Sequence, residues 1–119
     1  MKKIEITKIL EYYDVPQLFI AEDAFGMKYL CLLYDIAEDG ELKFIGVTVS
    51  FNKLNDFIKG HIDLLDMFMY PEKENSLFTI RMKEEGLFAE EYNDIPNSSM
   101  LPEKGYFYNA CLNDALLRA

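Results

Sequence analysis

The chain has 119 residues, 50% hydrophobic and 14% aromatic, with 21 acidic against 12 basic side chains and a net charge of −9. That length predicts one domain over residues 1–119 with a single core, and the aromatic content excludes intrinsic disorder. The acidic surplus excludes nucleic acid and anionic membrane surfaces from the expected partners, because both are bound through Lys and Arg.

Residues 3–13 carry two periods at once. Ile4 and Ile6 alternate as in a strand, while Ile6, Ile9, Leu10 and Tyr13 recur at helical spacing. Tyr12 and Tyr13 favour the strand. Asp14-Val15-Pro16 ends the segment, since proline has no backbone donor. Residues 17–22 and 28–36 are apolar runs joined by Asp23-Ala24-Phe25-Gly26-Met27, a hairpin signal. Residues 37–41 make a second turn with Asp39-Gly40 at its tip, and residues 42–49 follow as a strand. These three runs predict an antiparallel meander.

Ser50 caps a predicted helix over residues 51–59, with Phe51, Leu54, Phe57 and Ile58 on one face and Gly60 as its stop. Asp63 caps a shorter helix carrying Leu64, Leu65, Phe68 and Met69, ended by Pro71. Residues 77–83 alternate Phe78, Ile80 and Met82 against polar neighbours, a strand with one face in the core. Residues 87–92 follow the Glu84-Glu85-Gly86 turn as a further strand. Residues 95–105 read as loop, and Tyr106-Phe107-Tyr108 as a short edge pairing. Asn109 caps a C-terminal helix over residues 110–118, striped by Leu112, Ala115 and Leu116. The predicted fold class is α+β. It has an antiparallel sheet of about five strands, two short helices between strands three and four, and the C-terminal helix.

Glu11-Tyr12-Tyr13-Asp14, Pro16, Leu18-Phe19, Tyr29-Leu30 and Asp35 form a pattern that continues through Val49-Ser50, Leu54, Gly60, Ile62-Asp63-Leu64, Asp66 and Phe68. It resembles a family of small bacterial domains of unknown function. The resemblance spans roughly residues 4–80 and departs from that family at Val15, where glycine is commoner. It implies a bacterial or phage cytoplasmic origin and no activity.

Chemistry-bearing residues are sparse. Cys31 and Cys111 make no disulfide framework, which predicts a reducing cytoplasm, and Cys31 sits in an apolar run as an inert small hydrophobe. No apolar stretch approaches the ~18 residues of a membrane span. Met1-Lys2-Lys3 is followed by Glu5 rather than an apolar leader. A dyad of Cys with His61 needs an activated thiolate, and zinc needs four ligands, so the single histidine reads as a solvated loop residue. Residues 35–40 fail as the start of a calcium loop, with Ala37 at its third position and Gly46 at its twelfth, where a bidentate Glu is needed. The dispersed glycines make no phosphate cradle. No cofactor and no metal is expected.

Glu84, Glu85, Glu90, Glu91 and Asp94 form the densest acidic cluster. On a strand Glu90 and Glu91 point to opposite faces, which disfavours paired-carboxylate chemistry. Three aromatic groups stand out: Tyr12-Tyr13, Phe68-Met69-Tyr70 and Tyr106-Phe107-Tyr108. The last cannot face inward throughout on a strand, so Tyr106 and Tyr108 join the acids as the expected interaction surface. The leading reading is a non-catalytic protein-interaction domain, an adaptor, inhibitor or immunity-like protein with a basic partner. The alternative is a small-molecule or metal-binding sensor or enzyme with a pocket at His61, Asp63 and Asp66, although Asp63 reads first as a helix cap. Homodimerisation through the C-terminal strand or an open sheet edge is a third expectation.

Overall fold

The first segment decides the architecture. In the computed structural model, which describes residues 1–109, β1 (Lys2–Tyr13) is one long strand. Its pairing with β2 (Val15–Glu22) slips between Ile6 and Lys8 and again between Ile9 and Glu11. Each slip inserts a residue, so the period-two alternation jumps. Ile4, Ile6 and Ile9 pack in one apolar cluster and Leu10 in the other. These bulges are why the segment imitates helical spacing in sequence.

β2 pairs with β3 (Lys28–Ile36), β3 with β4 (Leu42–Val49), β4 with β5 (Leu77–Lys83), and β5 with β6 (Gly86–Glu91), all antiparallel. Lys2, Lys3 and Ile4 then pair with Ala89, Phe88 and Leu87, which closes a six-stranded barrel in chain order. The α+β expectation, with its open sheet of about five strands, is corrected: the protein is mostly β and closed. Alternation along each strand is the same in an open sheet and a barrel. Closure rests on pairing between the two extremes of the meander, for which no local signal exists. The C-terminal helix expected over residues 110–118 lies outside the described residues.

The barrel interior is filled by side chains. Phe19 and Phe44 meet edge to face with ring centroids 4.9 Å apart, and Tyr29 and Phe78 likewise at 5.2 Å. Gly46 lies between Cys31 and Phe78 in register, and a Cβ there would stand 2.4 Å from Ile80 Cδ1. Glycine at this position makes room for the isoleucine.

The outer face of β2–β4 carries Leu18, Ile20, Leu30, Ile45, Val47 and Val49. It is covered by α1 (Phe51–Ile58), α2 (Leu64–Met69), Met100 and Tyr108. Burial on both faces explains why these strands read as continuous apolar runs. Ser50 Oγ caps α1 by accepting from Lys53 N at 3.1 Å, and Gly60, at φ +81°, follows its end. Asp63 Oδ1 caps α2 at Leu65 N, 2.9 Å away. Its Oδ2 accepts from Gly105 N at 2.6 Å. Leu64 N donates to the Tyr106 carbonyl at 2.8 Å, and Asp63 and Phe107 form an isolated bridge. The pairing made by residues 106–108 is therefore with the start of α2 and not with a sheet edge. Among the described residues no helix is long and apolar enough to cross a membrane.

Candidate functional site

Strand direction places the β2–β3 hairpin, the exit of β4 and the entry to β5 at one end of the barrel. The hairpin is organised by Asp23. Its Oδ1 accepts from Phe25 N at 2.9 Å and Met27 N at 3.0 Å, and its Oδ2 accepts from the Tyr29 hydroxyl at 3.0 Å. Lys2 Nζ lies 3.7 Å from Oδ2. Burial pushes the carboxyl up, but the Met27 and Phe25 amides, the Tyr29 hydroxyl and the Lys2 charge outweigh it and hold Asp23 below the usual carboxylate range. Tyr29 is pushed well above the usual phenol range, by burial first and then by its bond to Asp23. The hairpin so held presents Phe25 at its tip, 91% exposed.

The start of α1 and the exit of α2 are tied together at this end. Glu72 Oε1 accepts from Ser50 N at 2.8 Å, and Lys53 Nζ donates to the Tyr70 carbonyl at 2.6 Å. The Ser50 amide is the main cause that lowers the Glu72 carboxyl. Met27, Ser50 and Glu72 line one shallow depression of about 160 Å³. Phe25, Met27, Phe51, Met69 and Tyr70 thus surround one end of the barrel, with Phe51 69% and Tyr70 71% exposed.

A groove of about 220 Å³ runs from this rim between α1 and the outer faces of β1 and β2. Phe51, Leu54, Asn55 and Ile58 recur at helical spacing and form its helical wall. Thr7, Lys8, Ile20 and Lys28 form the strand side. Lys28 donates to Glu22, and the Thr7 hydroxyl donates to the Ile20 carbonyl at 3.2 Å. Among the described residues the Lys8 ammonium has no hydrogen bond or ion pair.

The acids singled out in sequence do not come together. Glu84 and Glu85 lie in the β5–β6 turn at the opposite end of the barrel, beside a wide depression that also takes in Asp39 and Glu41. Glu41 is bonded to Arg81. Glu90 and Glu91 lie at the far end of β6, opposite Thr79 and Phe78, and Asp94 is exposed beyond them. Four residues of strand, Gly86–Ala89, at about 3.3 Å each lie between the two pairs. Tyr108 is only 5% exposed; its ring packs on Phe57 at 5.8 Å and its hydroxyl donates to the Leu10 carbonyl. Tyr106 is half-buried and donates to Glu11, whose carboxyl burial pushes up. Phe107, between them, is the exposed member.

His61 is exposed and donates its amide to the Asp56 carbonyl. Both carboxylate oxygens of Asp63 are engaged with backbone amides, and Asp66 is half-buried on α2. Among the described residues no three His, Cys, Asp or Glu side chains gather as metal ligands. Cys31 is enclosed in the barrel, and burial pushes its thiol well above the ordinary range, away from nucleophilic use. The exposed rim was partly legible. Phe25 sits at the centre of a predicted turn, so it had nowhere to be buried, and Met69-Tyr70 stands at a predicted helix stop.

The chain belongs to a family: the family described as "Family of unknown function (DUF6575)" matches residues 1–116, which carries the relationship well past residue 80. No curated protein and no solved structure matches it.

Proposed function

We propose that this member of the family is a non-catalytic protein-interaction domain that meets its partner with the apolar end of the barrel. The observation that supports the reading is the gathering of Phe25, Met27, Phe51, Met69 and Tyr70, all exposed, around that one end. Single exposed apolar side chains are ordinary, but a set gathered in one place is what contact surfaces use, and aromatic and Met residues are enriched at interface centres. The Asp23 bonds pre-order the hairpin that carries Phe25, which lowers the ordering cost of binding. Adaptor, inhibitor and immunity-like roles all fit this chemistry. The acids, spread over both ends of β6, act at longer range. They speed the approach of a basic partner and make association salt-sensitive.

Affinity capture from a lysate of the source organism tests the reading with two variants. Phe25→Ser/Phe51→Ser/Tyr70→Ser is expected to lower recovery of a stoichiometric partner about tenfold or more, with little change in melting temperature because the three rings are exposed. Glu90→Lys/Glu91→Lys is expected to change mainly the salt dependence. Loss of the partner in the second variant and retention in the first would move the contact to the acids and overturn the apolar rim.

A further inference from the structure

We infer that the groove beside α1 binds a small apolar carboxylate, an aliphatic or aryl chain of roughly seven to ten heavy atoms that ends in a single negative charge. The inference does not rest on the protein-interaction reading, although the two surfaces meet at Phe51. Size sets the first limit. About 220 Å³ holds roughly seven waters at ~30 Å³ each, below the 300–1,000 Å³ that drug-sized ligands occupy.

The walls set the second. Ile20, Phe51, Leu54 and Ile58 offer an apolar lining. A helix stripe normally lies wholly on the core. Here Leu54 and Phe57 do so, while Ile58 is only half-buried and Phe51 is largely exposed, so the stripe overhangs the groove.

Charge sets the third. Acids outnumber bases in this chain, yet among the described residues the only charged ones lining the groove are Lys8 and Lys28. Lys28 already shares its proton donors with Glu22. Lys8 is unpaired among the described residues, and it reaches the groove where the register of β1 slips between Ile6 and Lys8. Bulges re-aim side chains, and this one brings a cation to an apolar slot. The Asn55 side chain lines the same groove and adds a hydrogen-bond donor to one carboxylate oxygen. A neutral ligand would forgo the attraction of Lys8, and an ammonium would be repelled by it.

Titration of the full chain with octanoate, followed by amide chemical shifts, tests the inference. Saturable shifts are expected at Thr7, Lys8, Ile20, Lys28, Phe51, Leu54, Asn55 and Ile58. Octanamide and octan-1-amine are expected to bind at least about tenfold more weakly. Lys8→Glu, an exposed substitution that leaves the core intact, is expected to weaken octanoate by about tenfold. Equal binding of octanamide would make the groove a plain apolar contact for a protein segment and overturn the assignment. So would octanoate shifts that fall elsewhere, or that survive Lys8→Glu unchanged.

Discussion

Asp23 and Glu11 are two carboxylates that the fold treats in opposite ways, and their pH effects carry opposite signs. Asp23 is held below its ordinary range, so the stability it lends is present above the unfolded-state value and is lost as pH falls through its folded value. Glu11 is pushed up by burial beside Tyr106. Its charged form is disfavoured in the folded chain, so it opposes folding at neutral pH and that penalty lifts as pH falls through its raised value. Glu11→Gln, which can still accept from Tyr106, is therefore expected to raise the urea midpoint at about pH 7 and to lose that gain near pH 4. A lower midpoint at neutral pH would show that the charged bond to Tyr106 outweighs burial. Gly46 makes a different residue-level claim, one of space alone. Gly46→Ala drives a Cβ into Ile80 Cδ1 and is expected to cost roughly 1–3 kcal/mol. The same substitution in an Ile80→Val background should cost less, because the clashing methyl is gone. Equal costs in both backgrounds would place the strain elsewhere.

The helices differ in how much their caps hold. Ser50 caps the first turn of α1 with its side chain, so Ser50→Ala is expected to lower stability by about 1 kcal/mol. Asp63 caps α2 and also holds Gly105, with the bridge to Phe107 beside it. Asp63→Ala breaks a buried, charge-assisted pair of bonds and should cost roughly 2–4 kcal/mol. It should also free the chain around Lys104, which is exposed. Limited trypsin digestion separates the two jobs: cleavage after Lys104 is expected to accelerate in Asp63→Ala and not in Ser50→Ala. Both caps were readable in sequence, because a cap is a local bond between residues two or three apart. The tether to Gly105 was not, since its partner lies 42 positions away.

For the molecule as a whole, the seam between β1 and β6 is the shortest pairing in the barrel, confined to Lys2–Ile4 against Leu87–Ala89. Among the described residues β1 has no strand on that edge from Glu5 onward. Glu5 and Lys8, both exposed, together with the register slips, protect the edge from pairing with other chains. Native-state hydrogen exchange should find the seam amides among the first to open and the β3–β4 ladder, paired from Lys28 to Ile36, among the last. Seam amides that exchange only with global unfolding would show that closure is cooperative with the rest. The same topology gathers exposed apolar side chains at the end of Phe25, Phe51 and Tyr70 and leaves acids at both ends, Glu90 and Glu91 at this one and Asp39, Glu84 and Glu85 at the other.

The sequence by itself determined what depends on near neighbours: the three central strands and their turns, and the Ser50 and Asp63 caps. Only the tertiary structure decided closure, the inward turn of Tyr108, the separation of Glu84-Glu85 from Glu90-Glu91, and the company that Lys8 keeps beside α1. Each of these depends on which residue stands across a strand pairing or a helix contact. That choice is made by burial over long separations in the chain, and alternation along a single strand is blind to it.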